Sequence, residues 1–283
     1  MKTYILFLLA ATLGGVPVWG QRSLLKRTDA DSIARVRLLA QYEARFVIDT
    51  TKADKPLSET MLLEIGTGGI SKFYSQAKAV RDSSISADLG SGGSPVQVLS
   101  IDLRKYPKSR MSETLFRGYP DAGKVTTLDE VGLSHLRCTE ADEAPRWTLL
   151  PDTTTLLVYH CRRAVATFKG RTWRVWYTPD VPVDAGPWKL HGLPGMIVAA
   201  EDADGHYSFR LCGLERMRVP RALHYEGGSY EPVSRKAYRQ VHERYAADPV
   251  GFITEGPGVR MTVTDPQGNK LPSRRLAYNP IER

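Results

Sequence analysis

Residues 161–215 read CRRAVATFKGRTWRVWYTPDVPVDAGPWKLHGLPGMIVAAEDADGHYSFRLCGLE. Apolar and polar side chains alternate along most of this stretch, which is the period of a β-strand with one face buried. Short turn sequences interrupt the alternation twice, and a segment rich in proline and glycine lies between them. The stretch therefore predicts two β-hairpins joined by a proline-glycine connector.

The turn residues predict how the strands pair. Lys169-Gly170 is a two-residue hairpin turn, and Gly205 ends a three-residue loop in which glycine takes the left-handed conformation at no steric cost. The four predicted strands span residues 156–168, 171–178, 196–202 and 206–214. The expected cross-strand pairs of the first hairpin are Phe168 with Arg171 and Ala166 with Trp173.

The connector holds the sequence Gly192-Leu193-Pro194-Gly195-Met196. Proline followed by glycine at the two central positions is typical of a type II turn, because proline pre-sets φ and glycine accepts a positive φ. Gly192, Pro194 and Gly195 are therefore interpreted as structural turn residues. The alternative is that Gly192 and Gly195 let a ligand approach the backbone closely.

The rest of the chain adds short strands and one helix. Polar residues at 82–95 predict a mobile surface loop, because so few apolar side chains cannot offset the entropy of ordering. Residues 139–146 predict an acidic loop, and residues 31–37 one or two helical turns. Valine, alanine and tyrosine spaced four residues apart predict a helix over 233–247, ended by Pro249. Strands are predicted over 38–51, 57–65, 70–75, 96–103, 108–116, 124–127 and 147–150, with turns at 66–69 and 151–153.

These elements predict a mainly β fold. We expect an antiparallel, strongly curved sheet or half-open barrel of consecutive hairpins, with a helix near the C-terminus. The predicted organisation is a signal peptide over 1–20, a β-rich domain over 21–220, and a C-terminal helix and irregular tail over 221–283. The tail is expected to pack on the domain or fray from it.

The N-terminus has the pattern of a secretory signal. Lys2 precedes an apolar run over residues 4–13, and Val18-Trp19-Gly20 suits cleavage after Gly20. The apolar run is too short to span a bilayer, which takes about 20 residues. Hence we expect a periplasmic or secreted protein with no transmembrane segment after cleavage.

Charge indicates the class of partner. The formal net charge is +8, and removal of Lys2 with the signal leaves +7. This excess attracts anionic neighbours. For an exported protein it favours anionic envelope polysaccharide or lipid over nucleic acid. The expected partner is an envelope protein, a peptide, or an apolar or anionic small ligand, and not nucleic acid. The alternative is that the charge serves solubility only.

The chain has three cysteines, Cys138, Cys161 and Cys212. In an oxidising compartment they allow three alternative single disulfides and leave one thiol over. Their spacing supplies no CxxC pair, so zinc ligation is not expected.

Site candidates lie on the first hairpin and the connector. Arginines beside aromatic rings suit recognition of a carboxylate, a phosphate or a sugar, although the aromatic side chains would also serve as core. Polar groups on a loop held by a scaffold are common in binding sites. The candidate binding residues are Arg171, Arg174, Trp176, Trp188, Lys189 and His191.

Catalysis is not the expected activity. The signatures GxSxG, HExxH, GxGxxG and GxxxxGK[ST] do not occur, and we expect no catalytic residue, cofactor or metal. Two alternatives to a non-catalytic binding protein are a secreted hydrolase with a site near Asp184 and His191, and a purely structural envelope component.

Several of these motifs resemble the GLPGLI family of exported Bacteroidetes proteins, whose function is not established. The resemblance covers about residues 38–218 and the ending at 278–282, and Met196 stands where the family usually has leucine. It implies an exported β-rich protein, accessory to outer-membrane transport, with no catalytic residues. The matching elements are Cys161-Arg162-Arg163-Ala164, Phe168-Lys169-Gly170-Arg171, Trp176-Tyr177-Thr178 and Gly192-Leu193-Pro194-Gly195-Met196-Ile197.

Overall fold

The computed structural model describes residues 6–7, 31–89, 105–255, 263–264, 269–270 and 272–283. The predicted signal peptide, apart from residues 6–7, and the strand expected over 96–103 lie outside this part of the chain.

The described residues form a mainly β structure. Strands β1 and β14 pair with each other, and the other twelve form one sheet in the order β13-β7-β6-β5-β4-β3-β2-β12-β11-β10-β9-β8. The strands are β1 (Leu6–Phe7), β2 (Asp31–Phe46), β3 (Leu57–Gly66), β4 (Ser71–Ser75), β5 (Thr114–Arg117), β6 (Lys124–Val131), β7 (Ser134–Ala141), β8 (Thr148–Leu156), β9 (Tyr159–Phe168), β10 (Arg171–Thr178), β11 (Met196–Asp202), β12 (Tyr207–Tyr225), β13 (Glu231–Val233) and β14 (Val263–Thr264).

Neighbouring strands of the large sheet run antiparallel except β13 and β7, which are parallel. In the described part of the chain, β13 and β8 are its two edges and do not pair with each other. The sheet is therefore not closed into a barrel. The prediction of a mainly antiparallel β fold is confirmed.

The first hairpin forms as predicted. Phe168 lies opposite Arg171 and Ala166 opposite Trp173 in the β9–β10 ladder. Lys169 and Gly170 both have positive φ, 49° and 80°, which is the conformation of a type I′ turn.

The second hairpin also forms, but its second strand is longer than predicted. β12 continues to Tyr225 because its far half pairs with the N-terminal half of β2, from Asp31 to Val36. The helical turns expected over 31–37 are therefore wrong. The predicted boundary between residues 220 and 221 falls inside β12.

The strands around β8 differ from prediction. The turn expected at 151–153 is a register shift within β8, and the chain reverses at Leu157 instead, where φ is 56°. The end of β7 covers residues 139–141, which were expected to belong to an acidic loop. Of the strand predicted over 108–116, only residues 114–116 lie in a strand, β5. β8 pairs with the next strand β9, and β7 with the preceding strand β6, so the errors there concern where the strands begin, end and turn.

Three helices accompany the sheet in the described residues: α1 (Gln76–Leu89), α2 (Arg235–Ala247) and α3 (Pro249–Thr254). The helix predicted near the C-terminus is α2, capped by the Ser234 hydroxyl, and Pro249 begins α3 immediately after it.

α1 replaces the mobile loop expected over 82–95, as far as residue 89. The Ser75 hydroxyl accepts the backbone N–H of Lys78 and thus caps its first turn. Lys78 Nζ then binds Asp82 at 2.6 Å and Glu130 of β6 at 2.7 Å. Tertiary contacts thus order a helix whose composition disfavours one.

The main core lies against β2 to β4 and β9 to β12. Its largest fully buried side chains include Trp173, Tyr42, Tyr177, Phe73 and Phe209. Aromatic contacts cross it, with the rings of Trp173 and Phe209 6.3 Å apart. Burial of such rings supplies most of the stabilisation of a sheet of this kind.

All three cysteines are free thiols, with Cys138 and Cys161 buried and Cys212 exposed. None of the three alternative disulfides is formed. Burial raises the pKa of the Cys138 and Cys161 thiols, which makes them less reactive.

Candidate functional site

The connector between β10 and β11 forms one wall of a recess. Its ends are tied to the start of β11, where Met196 N–H donates to Val181 and Ile197 N–H to Ala185. Side chains of β3 to β6 form the opposite wall. The recess has a volume of ≈ 20 Å³ and is partly open at its mouth, and its lining includes Leu63, Ser71, Phe73, Leu115, Arg117, Val125, Asp142, Trp188, Lys189, Leu190 and His191.

His191 lies in this wall and is 6% exposed. Its Nε2 is 2.9 Å from Asp142 Oδ1, and its Nδ1 is 3.6 Å from Asp184 Oδ2. Neither contact is aligned as a hydrogen bond, so both ring nitrogens are buried without a hydrogen-bond partner in the described part of the chain. The backbone carbonyl of His191 accepts the Trp147 indole N–H at 2.7 Å, which fixes the loop.

Burial opposes a charged imidazole, but the carboxylates of Asp142 and Asp184 outweigh it and raise the pKa of His191 above its ordinary value. Both ring nitrogens face carboxylate oxygens, an arrangement that suits the doubly protonated ring.

Arg117 of β5 joins the same two acids. Its Nε donates to Asp142 at 2.7 Å, and its Nη2 donates to the Asp184 carboxylate at 3.0 Å. Asp184 also accepts the backbone N–H of Gly192 at 2.5 Å. Burial would raise the pKa of both carboxyls, but the contacts with His191, Gly192 and Arg117 outweigh it and hold the pKa of Asp184 and Asp142 below the ordinary range.

These four side chains form a charge-balanced cluster. Arg117 and protonated His191 carry two positive charges against the two carboxylates. A doubly protonated imidazole has no lone pair with which to take a proton. The cluster is therefore suited to holding the connector and to hydrogen bonding, and not to general base chemistry.

Trp188 is the second unusual residue of the wall. Its φ is +56°, a left-handed conformation that costs a bulky side chain free energy. Its ring packs against Trp173 at 5.6 Å and Phe168 at 5.9 Å between centroids. The indole N–H is buried without a hydrogen-bond partner in the described residues. Strain and an unmet donor thus occur together beside the recess.

Lys189 is buried, and its ammonium group contacts the carboxylates of Glu140 and Glu282. Arg235 of α2 also pairs with Glu282. The connector is therefore linked through Lys189 to the last residues of the chain.

Arg171 does not join the recess. Its side chain is fully buried, and its guanidinium binds Asp202 at 2.6 Å and the backbone carbonyls of Pro280 and Ile281 at 2.7 and 2.9 Å. It holds the tail of the same chain. Residues 279–281 therefore pack on the sheet, and Asn279 donates to Val47 at 2.7 Å.

Arg174 and Trp176 lie on the face of β10 opposite to Trp173 and Val175, since side chains alternate along a strand. Arg174 is exposed, and Trp176 is half-buried under the Arg163 guanidinium, which lies 5.7 Å from its ring centroid. Of the six predicted binding residues, the structure thus brings together Trp188, Lys189 and His191 and separates the other three.

The glycines of the connector are explained by close contacts within the protein. Gly195 has φ of 146°, and a Cβ there would lie 2.1 Å from the carbonyl oxygen of Thr178. A Cβ on Gly192 would lie 2.8 Å from that of Ala144. In a type II turn the Met196 N–H would donate to the Leu193 carbonyl. Here the Met196 N–H donates to Val181, and the Leu193 carbonyl accepts from the Gly195 N–H, so the turn at Pro194 differs from the predicted one.

Sequence reasoning missed Arg117 and Asp142, because β5 and the end of β7 reach the connector only through sheet pairing. It also missed a second polar cluster between α2 and β6. There Tyr238 Oη lies 2.6 Å from both Glu113 and Asp129, and His242 Nε2 lies 2.8 Å from Asp129.

Proton sharing explains this second cluster. Tyr238 has one hydroxyl proton for two carboxyls, so its second short contact requires a proton on one of them. Burial and the charge of Asp129 raise the pKa of Glu113. Burial works against an ionised Asp129, but the contact with His242 outweighs it and lowers the pKa of Asp129. The arrangement anchors α2 to the sheet.

One group of potential metal ligands lies elsewhere. Ligand atoms of Asp202, Asp204 and His206 lie within 4.8 Å of one another. Arginines already bind there, since Arg171 binds Asp202 and Arg283 Nη1 lies 2.8 Å from Asp204. This group therefore serves as an ion-pair cluster.

Among the described residues, every helix is too short or too polar to cross a bilayer. Residues 167–199 match the family described as a protein of unknown function, Porph_ging. This match covers the β10 hairpin turn and the connector. No curated protein matches the chain.

Two solved structures of PNGF-II, in the P21 and C2 space groups, are similar to this chain at 12% identity. Their TM-scores are 0.49 and 0.48, and the match covers 75% of this chain and 34% of each PNGF-II chain. The present chain thus spans about a third of those proteins' length.

Proposed function

We propose that this is an exported, non-catalytic envelope protein that binds a ligand in the recess beside Trp188 and His191. The ligand carries a hydrogen-bond acceptor, such as a carbonyl or carboxylate, next to an apolar group. A peptide or a small apolar or anionic molecule has this chemistry.

One observation carries the proposal: the side chain of Trp188 is more than nine-tenths buried, lines the recess, and has an unmet indole N–H donor. Buried polar groups in native proteins are almost always paired, and an unpaired one costs about 1–3 kcal/mol. The indole N–H of Trp188 is unpaired in the described residues, whereas both ring nitrogens of His191 face carboxylates. A ligand oxygen would satisfy the indole N–H, and the apolar side chains opposite, such as Phe73 and Leu115, would accept the apolar part of the ligand.

Binding is favoured over hydrolysis because His191 faces a carboxylate at each ring nitrogen. The Ser71 hydroxyl does line the recess, and it is the nucleophile that the alternative hydrolase would use. Such a hydrolase would need a neutral imidazole, whereas Asp142 and Asp184 favour the charged one.

We also infer that the sheet curves around the main core. The rings of Phe73 on β4 and Phe209 on β12 lie 6.0 Å apart. These strands are three steps apart in the sheet, about 14 Å if it were flat. Curvature brings such side chains together and places the connector over the concave face.

The exported location is supported by the signal-like N-terminus and by the GLPGLI resemblance, which also suggests an accessory role in outer-membrane transport. Cell fractionation of the native host, with immunodetection of the mature chain, tests this part.

The test of binding is native mass spectrometry of the protein purified from its own envelope. Wild-type protein should retain an added mass, and the Trp188→Phe variant, which keeps an aromatic ring but lacks the indole N–H, should lose it while circular dichroism shows that the variant stays folded. A matched control is Trp176→Phe, since Trp176 lies on the opposite face of β10 and outside the recess.

The wild-type protein would be a structural component if it carried no added mass and if hydrogen exchange of the Trp188 indole N–H showed that solvent reaches the recess. Covalent reaction with a fluorophosphonate probe, abolished in Ser71→Ala, would establish the hydrolase and overturn the proposal.

A further inference from the structure

β12 bulges outward beside β2. The ladder pairs Arg216 with Leu38 and then Arg221 with Val36, so the four residues Met217–Pro220 stand opposite Arg37 alone. Bulges of this size leave backbone unpaired and push side chains out of the sheet. Val219 lies in the bulge and is 75% exposed.

Arginines lie in and beside the bulge, whose apolar tip is Val219. Arg216 precedes the bulge in sequence, Arg218 lies within it, and Arg35 and Arg37 lie on the facing strand β2; all four are exposed. No ion pair joins their guanidinium groups to any acid in the described part of the chain.

The neighbouring acids do not neutralise this surface. Glu64 is already paired with Arg221 and accepts from Tyr74 at 2.8 Å, and Glu226 is paired with Lys72 at 2.7 Å. Glu215 is the one exposed acid adjacent in sequence to the four arginines. The formal charge of these five residues is therefore +3.

We propose that the bulge Met217–Pro220 and its four arginines form a docking surface for an anionic lipid membrane. Each arginine near such a surface gains attraction from its negative potential. An exposed apolar side chain at the centre of a basic rim enters the boundary between headgroups and acyl chains. The apolar tip favours lipid over an anionic polysaccharide, which has no apolar layer for Val219 to enter.

The test is sedimentation of the purified protein with vesicles of mixed phosphatidylcholine and phosphatidylglycerol. We expect binding that falls with added salt and is absent with phosphatidylcholine alone. The double variant Arg37→Gln/Arg218→Gln should bind on the order of tenfold more weakly. The control Arg146→Gln/Arg162→Gln removes the same charge from exposed positions at the β8–β9 end of the sheet and should bind like wild type.

Val219→Ser tests the apolar tip without a change in charge. It should weaken vesicle binding severalfold, and, because Val219 is so exposed, it should leave the melting temperature unchanged. Equal losses in the test and control double variants would overturn the proposal. So would Val219→Ser binding like wild type, or binding to a soluble anionic polysaccharide as tight as to vesicles and equally sensitive to Arg37→Gln/Arg218→Gln.

Discussion

The guanidinium of Arg171 donates from Nε to the backbone carbonyl of Ile281, 110 residues further along the chain, at 2.9 Å. The same group binds Asp202, so one buried cation holds both a turn of the sheet and the tail. Ile281 itself is 7% exposed and belongs to the main core. Residues 279–282 are thus packed on the fold.

Arg171→Ala should destabilise the protein by about 3–5 kcal/mol, because it leaves Asp202 buried and unpaired and frees the tail carbonyls. Urea denaturation measures the change. Arg174→Ala, three residues along β10 and exposed, should stay within about 0.5 kcal/mol of wild type. Similar losses in the two variants would contradict the role assigned to Arg171.

Gly195→Ala should destabilise the fold by about 1–3 kcal/mol or more. The added Cβ would lie 2.1 Å from the Thr178 oxygen, in a backbone conformation that L-residues avoid. Gly228→Ala is the matched control, because a Cβ there meets nothing within 4 Å. Thermal unfolding of both variants checks the prediction, and an unchanged Gly195→Ala protein would refute it.

Tyr238→Phe should cost about 1–3 kcal/mol, because it removes the hydroxyl that bridges Glu113 and Asp129. Tyr245→Phe on the same helix is the control, since the Tyr245 ring packs on Phe252 and its hydroxyl has no hydrogen-bond partner in the described residues. Chemical denaturation monitored by circular dichroism distinguishes the two. Equal stabilities would show that the bridge contributes nothing.

Stability should depend on pH through the cluster around His191. The lowered pKa values of Asp142 and Asp184 give a contribution that is present above about pH 4 and lost as pH falls through the folded-state values. The raised pKa of His191 gives a contribution that is present below about pH 6.5 and lost as pH rises through its folded-state value. The cluster should therefore stabilise the fold most between these limits.

His191→Gln tests this window. Its stability deficit relative to wild type should be larger at about pH 5.5 than at about pH 8.5. In wild type, NMR titration should place the imidazole pKa above its ordinary value, and Asp142→Asn should lower it. A deficit independent of pH would exclude a charged His191.

The sequence predicted what local chemistry determines. Lys169-Gly170 set the register of the first hairpin, and spacing in steps of four located α2. The sequence predicted a loop where α1 forms, because serine and aspartate are typical of loops. The helix is stabilised by Lys78, whose partner Glu130 lies on a strand 52 residues away.

The residues of the candidate site also differ in whether local sequence points to them. Trp188, Lys189 and His191 share a loop and were proposed as binding residues from sequence. Arg117 and Asp142 reach that loop from β5 and the end of β7, and no local pattern relates them to it. Arg171 was a candidate for recognition of a ligand's carboxylate, phosphate or sugar, whereas in the structure it binds the carboxylate of Asp202 in the same chain.

An open sheet exposes two edge strands. The register shift in the edge strand β8 affects whether molecules of the protein assemble edge to edge. An edge strand can template assembly with another molecule unless proline, charge or irregular pairing blunts it. β8 contains Pro151 and Asp152 at its irregular segment, and the opposite edge, β13, has only three residues. These features should keep concentrated solutions of the protein free of fibrils, despite twelve strands in one sheet.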